Sequence, residues 1–181
     1  MDFFEEISEN KFTLLLLSEK QYEQRLAQMM KSIEKAHKSI CYICLSKPYK
    51  DVMLSLDSGG FDVGKFFFID VLTHHFKRQE IAQNCIFVED PRKLMALQLA
   101  IAKAVIQKNC SAIIFDTLSS LLMYEQAHDV IQFANAMAIE EKHRSVNKVF
   151  IVVRESQPLK EYSDTFIKDV EMFADKKIEF E

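Results

Sequence analysis

At 181 residues the chain is long enough for one compact domain and short for two; a chain of that length buries roughly 70% of its unfolded surface, so no disulfide or structural metal is needed. Hydrophobic residues make up 49%, with fifteen Phe and no Trp, a composition suited to a core of rings that need no hydrogen-bond partner. The net charge of −4 is spread along the chain and gives no electrostatic reason to bind nucleic acid or an anionic membrane, and no apolar run nears the ~18 residues of a membrane span.

Apolar strand-like runs alternate with helical stretches throughout. Residues 12–17 read as a first strand and 21–36 as a helix with Leu26, Met29, Met30 and Ile33 on one side. A second strand at 40–45 precedes a short helix at 49–56, which Gly59-Gly60 breaks before a third strand at 65–70. Residues 85–88 are short and extended. Asp90-Pro91 then opens the clearest helix, with Asp90 as N-cap and Pro91 at the first helical position; Leu94, Leu97, Ile101, Ala104 and Val105 give its stripe and Asn109 closes it. A strand at 112–115, helical segments with the main one at 129–142, a strand at 149–153, a helix at 158–173 and an edge strand at 177–180 complete the series. Met29, Met30, Met123 and Met137 sit on helical stripes and read as core.

Strands buried on both faces and alternating with helices specify an α/β fold: three layers, a mostly parallel central sheet flanked by helices. Without repeat or linker, the chain reads as a single domain. The opening Met1-Asp2-Phe3-Phe4-Glu5-Glu6 is acidic where a secretory leader would be basic, so the expectation is a cytoplasmic protein whose four cysteines are reduced. Cys41 and Cys44 form a C-x-x-C, but within the run Ile40-Cys41-Tyr42-Ile43-Cys44-Leu45 they fall on opposite faces of a strand. That places them in the core rather than in a redox or zinc site.

In such sheets ligands lie beyond the carboxyl ends of the strands, which directs attention to the turns after Leu17, Leu45, Asp70, Phe115 and Val153. Nucleotide-binding proteins put a Gly-rich loop after the first strand, because backbone N–H groups must wrap the phosphates. Here that turn is Leu17-Ser18-Glu19-Lys20-Gln21-Tyr22-Glu23, with no Gly. Ser18 and Gln21 read as a capping box, Glu19 and Glu23 would repel a triphosphate, and Lys20 reads as a surface residue. Gly59-Gly60-Phe61-Asp62-Val63-Gly64-Lys65 fits G-x-x-x-x-G-K, yet it follows a helix and opens a strand, the reverse of a phosphate loop. It reads as a helix-ending glycine turn.

The most distinctive stretch is Ser111-Ala112-Ile113-Ile114-Phe115-Asp116-Thr117-Leu118-Ser119-Ser120-Leu121-Leu122. Asp116 at a strand's carboxyl end has two uses: it or Thr117 caps a helix beginning at Leu118, the commoner use, or it holds the water shell of Mg²⁺ as in ATPases. The run from Ile113 to Leu122 resembles the Walker B region of KaiC-like proteins of the RecA superfamily: apolar strand, Asp, Ser or Thr, Leu, Ser, small, Leu, Leu. Lys65-Phe66-Phe67-Phe68-Ile69-Asp70 is similar to the strand ending in Ile-Asp that precedes it there. The order of elements fits the family over nearly the whole chain and implies the RecA-like P-loop NTPase fold. The departures are that the family's phosphate loop (Walker A) is missing at 18–23 and that its catalytic Glu pair falls at Ser46-Lys47.

The resemblance therefore implies a degenerate, non-hydrolysing member, of a kind that occurs in archaeal genomes beside active relatives. The expectation is a pseudo-ATPase with no cofactor, metal or catalytic residue and no nucleotide bound, acting through a protein partner or as a homo-oligomer, without nucleic acid or membrane. The alternative is a ligand-binding or enzymatic domain with a rebuilt site at the strand ends, drawn from Ser46, Lys47, Asp70, Asp116, Thr117 and Arg154. His74-His75, with Lys77 and Arg78, reads as a mobile basic loop, with the segment from Thr73 to Ala82 as an anion or partner contact the alternative. Ser46 and Ser156 have no evident His–Asp set for nucleophilic work.

Overall fold

The computed structural model describes residues 5–76, 80–140 and 145–180. Seven strands form one sheet in the order β4-β3-β2-β5-β6-β1-β7, with β1 at Phe12–Leu17, β2 at Ile40–Cys44, β3 at Phe66–Asp70, β4 at Cys85–Phe87, β5 at Ala112–Asp116, β6 at Asn147–Val153 and β7 at Lys176–Glu179. Every pairing is parallel, so the sheet is wholly rather than mostly parallel. Such a sheet must be covered on both faces, and the helices do so. α1 (Glu5–Glu9), α2 (Tyr22–Ala36) and α3 (Tyr49–Ser58) lie on one side, and α5 (Leu94–Lys108), α6 (Ala127–Ile139) and α7 (Gln157–Glu171) on the other. α4 is the single turn Thr73–Phe76. Among the described residues no helix is long and apolar enough to cross a membrane.

Alternation along each strand decides which residue meets which layer. On β5, Ile113 and Phe115 point into the α5–α7 core, whereas Ala112 and Ile114 point towards α2 and α3. β2 divides in the same way, so Cys41 enters one core and Cys44 the other. The expected divergence of the C-x-x-C holds, and all four thiols are free and buried. Phe12, Phe150 and Phe115 stack across three strands of the larger core, at centroid distances of 4.6 and 4.0 Å.

Several local expectations change. α5 opens at Leu94 rather than at Pro91, because the Asp90 carboxylate binds the backbone N–H and the guanidinium of Arg92 in a separate turn. Asn109 closes α5 as expected, in the left-handed region at φ 50°. The capping box at Ser18 does not form: the turn 18–21 is closed by the Gln21 N–H on the Ser18 carbonyl, 3.1 Å, and α2 begins at Tyr22 without a side-chain cap. Met123 is 67% exposed while Met29, Met30 and Met137 are buried, since residues 118–123 form a 3-10 turn that rolls Met123 outward. The main helix expected at 129–142 is α6, ending at Ile139; Lys142 lies outside the described residues, as do Met1 to Phe4, Lys77 and Arg78. Gly59-Gly60 ends α3, with Gly60 at φ 73°, and leads through a 3-10 turn into β3, as the glycine-turn reading requires.

Candidate functional site

Asp116 is the last residue of β5, and its parity turns the side chain towards α2 and α3. There it is 1% exposed. Tyr42, on the neighbouring strand β2 and the same face, donates its hydroxyl to one carboxylate oxygen. Tyr22, the first residue of α2, donates to the other at 2.5 Å. A short turn after β1 drops the start of α2 over the end of β5, so that each carboxylate oxygen accepts one tyrosine hydroxyl. Burial pushes the Asp116 carboxyl above its ordinary range, while the two hydroxyls and the Lys47 ammonium pull the other way. Both tyrosines are pushed up, by burial first and then by the carboxylate they face.

The capping use of Asp116 and Thr117 is corrected by this geometry. The 3-10 turn after β5 has no side-chain cap. Asp116 spends its oxygens on tyrosines, and Thr117 pairs its hydroxyl with Ser120 at 2.7 Å. The Asp116–Thr117 peptide is cis.

Ser46 and Lys47 join this group. The backbone N–H groups of Leu45 and Ser46 donate to the Asp116 carbonyl at 2.9 and 3.0 Å. Lys47 forms an ion pair with Glu23 and lies 5.5 Å from the centre of the Tyr22 ring. Behind them is a cavity of about 70 Å³ bounded by Met30, Tyr42, Leu56 and Phe61 together with Asp116 and Lys47, far below the 300–1,000 Å³ of typical ligand sites.

Asp70 and Arg154 are placed elsewhere. Asp70 is fully buried and accepts from the backbone N–H groups of Tyr49, Leu72 and Thr73 and from the Thr73 hydroxyl, at 2.6–2.8 Å. It anchors the starts of α3 and α4. Arg154 pairs with Glu179 on the edge strand β7. His74 is also structural, stacked on Phe87 at 4.8 Å with its Nε2 at the Glu80 backbone, so the basic-loop reading fails at that residue. Among the described residues no group of three His, Cys, Asp or Glu is set to hold a metal.

Tyr22 and Tyr42 did not emerge from the sequence reading. One signal was available: Tyr42 lies in the middle of a strand otherwise apolar, and a buried phenol must find an acceptor.

The sheet, its two helical layers and the carboxylate at the end of β5 define a KaiC/RecA-like α/β fold. The chain is similar to the KaiC-like protein PH0186 of the hyperthermophilic archaeon Pyrococcus horikoshii OT3, with a TM-score of 0.64 over 94% of this chain and 72% of that one, at 11% identity. It is also similar to the protein PH0250 of the same organism, with a TM-score of 0.57 over 95% and 82% of the two chains and 11% identity. No protein-family model matches the chain, and no curated protein matches it significantly. At such identity the likeness is one of fold.

The KaiC resemblance implies a magnesium nucleotide at this edge of the sheet, and the residues present do not fit one. The metal-ligand position, Asp116, accepts two tyrosine hydroxyls, Lys47 is paired with Glu23, and the turn at 18–21 contains no glycine to bring bare backbone around phosphates.

Proposed function

We propose that this chain is a non-hydrolysing domain on the KaiC-like fold, a pseudo-ATPase that acts through protein contacts. The observation that carries the reading is the double hydrogen bond from Tyr22 and Tyr42 to Asp116. A carboxylate that holds metal water must be open to that water; this one is 1% exposed behind two phenols and serves instead to fasten α2 to the sheet. Four free thiols suit a reducing, cytoplasmic setting.

The test is a thermal-shift titration with Mg-ATP and Mg-ADP. A nucleotide at a hundred times its Kd would add about 2.7 kcal/mol of stability. The expected result is an unchanged melting temperature and no phosphate release. A magnesium-dependent rise that disappears in Asp116→Ala overturns the reading.

A second reading, a small-molecule site, is favoured by one cavity. β2 leads on to β3 and β5 to β6, so the chain leaves these adjacent strands in opposite directions, and ligands bind at such switch points. A space of about 250 Å³ opens there between Leu45, Pro48, Leu72, Phe76 and Met123. Saturable binding of a small aromatic probe, lost in Phe76→Ala, would favour this reading over the first.

A further inference from the structure

Three neighbouring strands, β3, β2 and β5, deliver the walls of the space of about 250 Å³ at the switch point. The turn after β2 supplies Leu45 and Ser46, the turn after β3 leads to Leu72 and Phe76, and the 3-10 turn after β5 carries Ser120 and Met123. Leu45 and Leu72 are buried, whereas Phe76 and Met123 are 65 and 67% exposed at the rim.

The three turns are fastened to one another. Fully buried Asp70 accepts the backbone N–H of Tyr49, which follows β2, and those of Leu72 and Thr73, which follow β3. The Leu45 and Ser46 N–H groups donate to the Asp116 carbonyl and tie the β2 turn to β5. Beyond β5, Thr117 pairs with Ser120, and the buried Ser119 hydroxyl accepts the Val153 N–H at 3.4 Å. His75 meets the rings of Phe76 and Tyr124 at 4.5 and 5.6 Å, close to perpendicular to each, and so steadies the aromatic wall. Walls set before a ligand arrives leave little ordering to be done on binding.

The lining selects the ligand. Among the described residues no charged side chain lines the space, and Asp70, which holds two of the turns, already accepts four donors. A charge brought in would lose its hydration and find no partner, so the ligand is uncharged. The rings of Phe76 and Tyr124 and the Met123 thioether favour an aromatic ring, and the Ser46 and Ser120 hydroxyls can meet one polar edge. A cavity of about 150 Å³ takes benzene, so this one suits one substituted ring or two fused rings. Its lining comes from three converging turns rather than along one element, which suits a free molecule better than a length of chain.

We propose that the space beyond β2, β3 and β5 binds an uncharged aromatic molecule of one or two rings with a single hydrogen-bonding edge. The proposal rests on the small-molecule reading above and names its ligand class. Ligand-observed NMR titration at neutral pH would compare indole, cationic tryptamine, anionic indole-3-acetate and a capped Gly-Trp-Gly peptide. Indole should bind saturably, and both charged derivatives at least about tenfold more weakly. Phe76→Ala should weaken indole by about tenfold. Met123→Lys changes an exposed position and should leave the melting temperature unaltered, yet it should invert the order of indole and indole-3-acetate, which lost packing alone would not do. Charged derivatives that bind as tightly as indole overturn the ligand class and leave the small-molecule reading standing. Indole binding that ignores both substitutions lies elsewhere and also overturns the proposal. A peptide bound more tightly than indole would give the space to a partner's side chain, and that result, or no saturable binding of any probe, sinks the proposal and the small-molecule reading together.

Discussion

A carboxylate with two tyrosines and no solvent is held by a balance that pH can tip. Burial raises the Asp116 carboxyl above its ordinary value near 3.8, so the folded state binds its proton more tightly than the unfolded chain does. The stabilising contribution of that proton is complete below the unfolded pKa and is lost as pH rises through the folded one. Asp116→Asn removes the titration. The stability of Asp116→Asn relative to wild type should improve as pH is raised from about 4 to 7, measured by urea unfolding at each pH. A flat or falling difference would mean that the hydroxyls and Lys47 outweigh burial. The hydroxyls can be weighed separately: Tyr42→Phe removes one donor to a buried charged acceptor, at about 1.5–3 kcal/mol, while leaving the ring in place against Phe68, 6.1 Å away. Asp116→Ala orphans both tyrosine hydroxyls and should be the more damaging change.

Elements were largely legible in the sequence, and their junctions were not. β1 was expected at 12–17 and is found there, because six consecutive apolar or β-branched residues buried on both faces suit little else. The start of α5 was misread because Asp90-Pro91 carries a genuine N-terminal signal, yet a closer cation, Arg92, captures the carboxylate. Asp70 was placed among the site candidates by its position at a strand end; that position instead lets it gather three backbone N–H groups from two helix starts. No spacing rule reports such a bond, since Tyr49 lies 21 residues away. The pair that closes over Asp116 was hidden for the same reason, with Tyr22 and Tyr42 at separations of 94 and 74 residues. Asp70→Ala removes the acceptor of four buried donors, three of them backbone N–H groups that cannot turn to another partner, at about 1–3 kcal/mol each. It should therefore destabilise by at least about 3 kcal/mol and lower the helical circular dichroism before the main unfolding transition, as α3 loses its anchor. Loss of stability without that early change would make Asp70 a packing residue only.

At the scale of the whole molecule, the two faces of the sheet are unequal. Among the described residues the α5–α7 side holds the three stacked rings Phe12, Phe150 and Phe115 and the larger apolar core, whereas the α2–α3 side contains the polar Asp116 group and its small cavity. The cooperative centre should therefore be β5, β6 and β2, each paired on both edges, while β4, with three residues, and β7, paired to β1 alone, open locally. Native-state hydrogen exchange tests this directly. The amides of Ile113 to Phe115 and of Phe150 should exchange only through global unfolding, and those of β7 at a much lower opening free energy. Phe115→Ala, which removes one end of the ring stack, should lower the global value by about 3–5 kcal/mol and leave the exchange of β7 nearly unchanged. If β7 slows or speeds in step with β5, the edge strand is part of the same cooperative unit. The Arg154–Glu179 ion pair that ties it to the end of β6 would then contribute more than the 0–1 kcal/mol usual for exposed pairs.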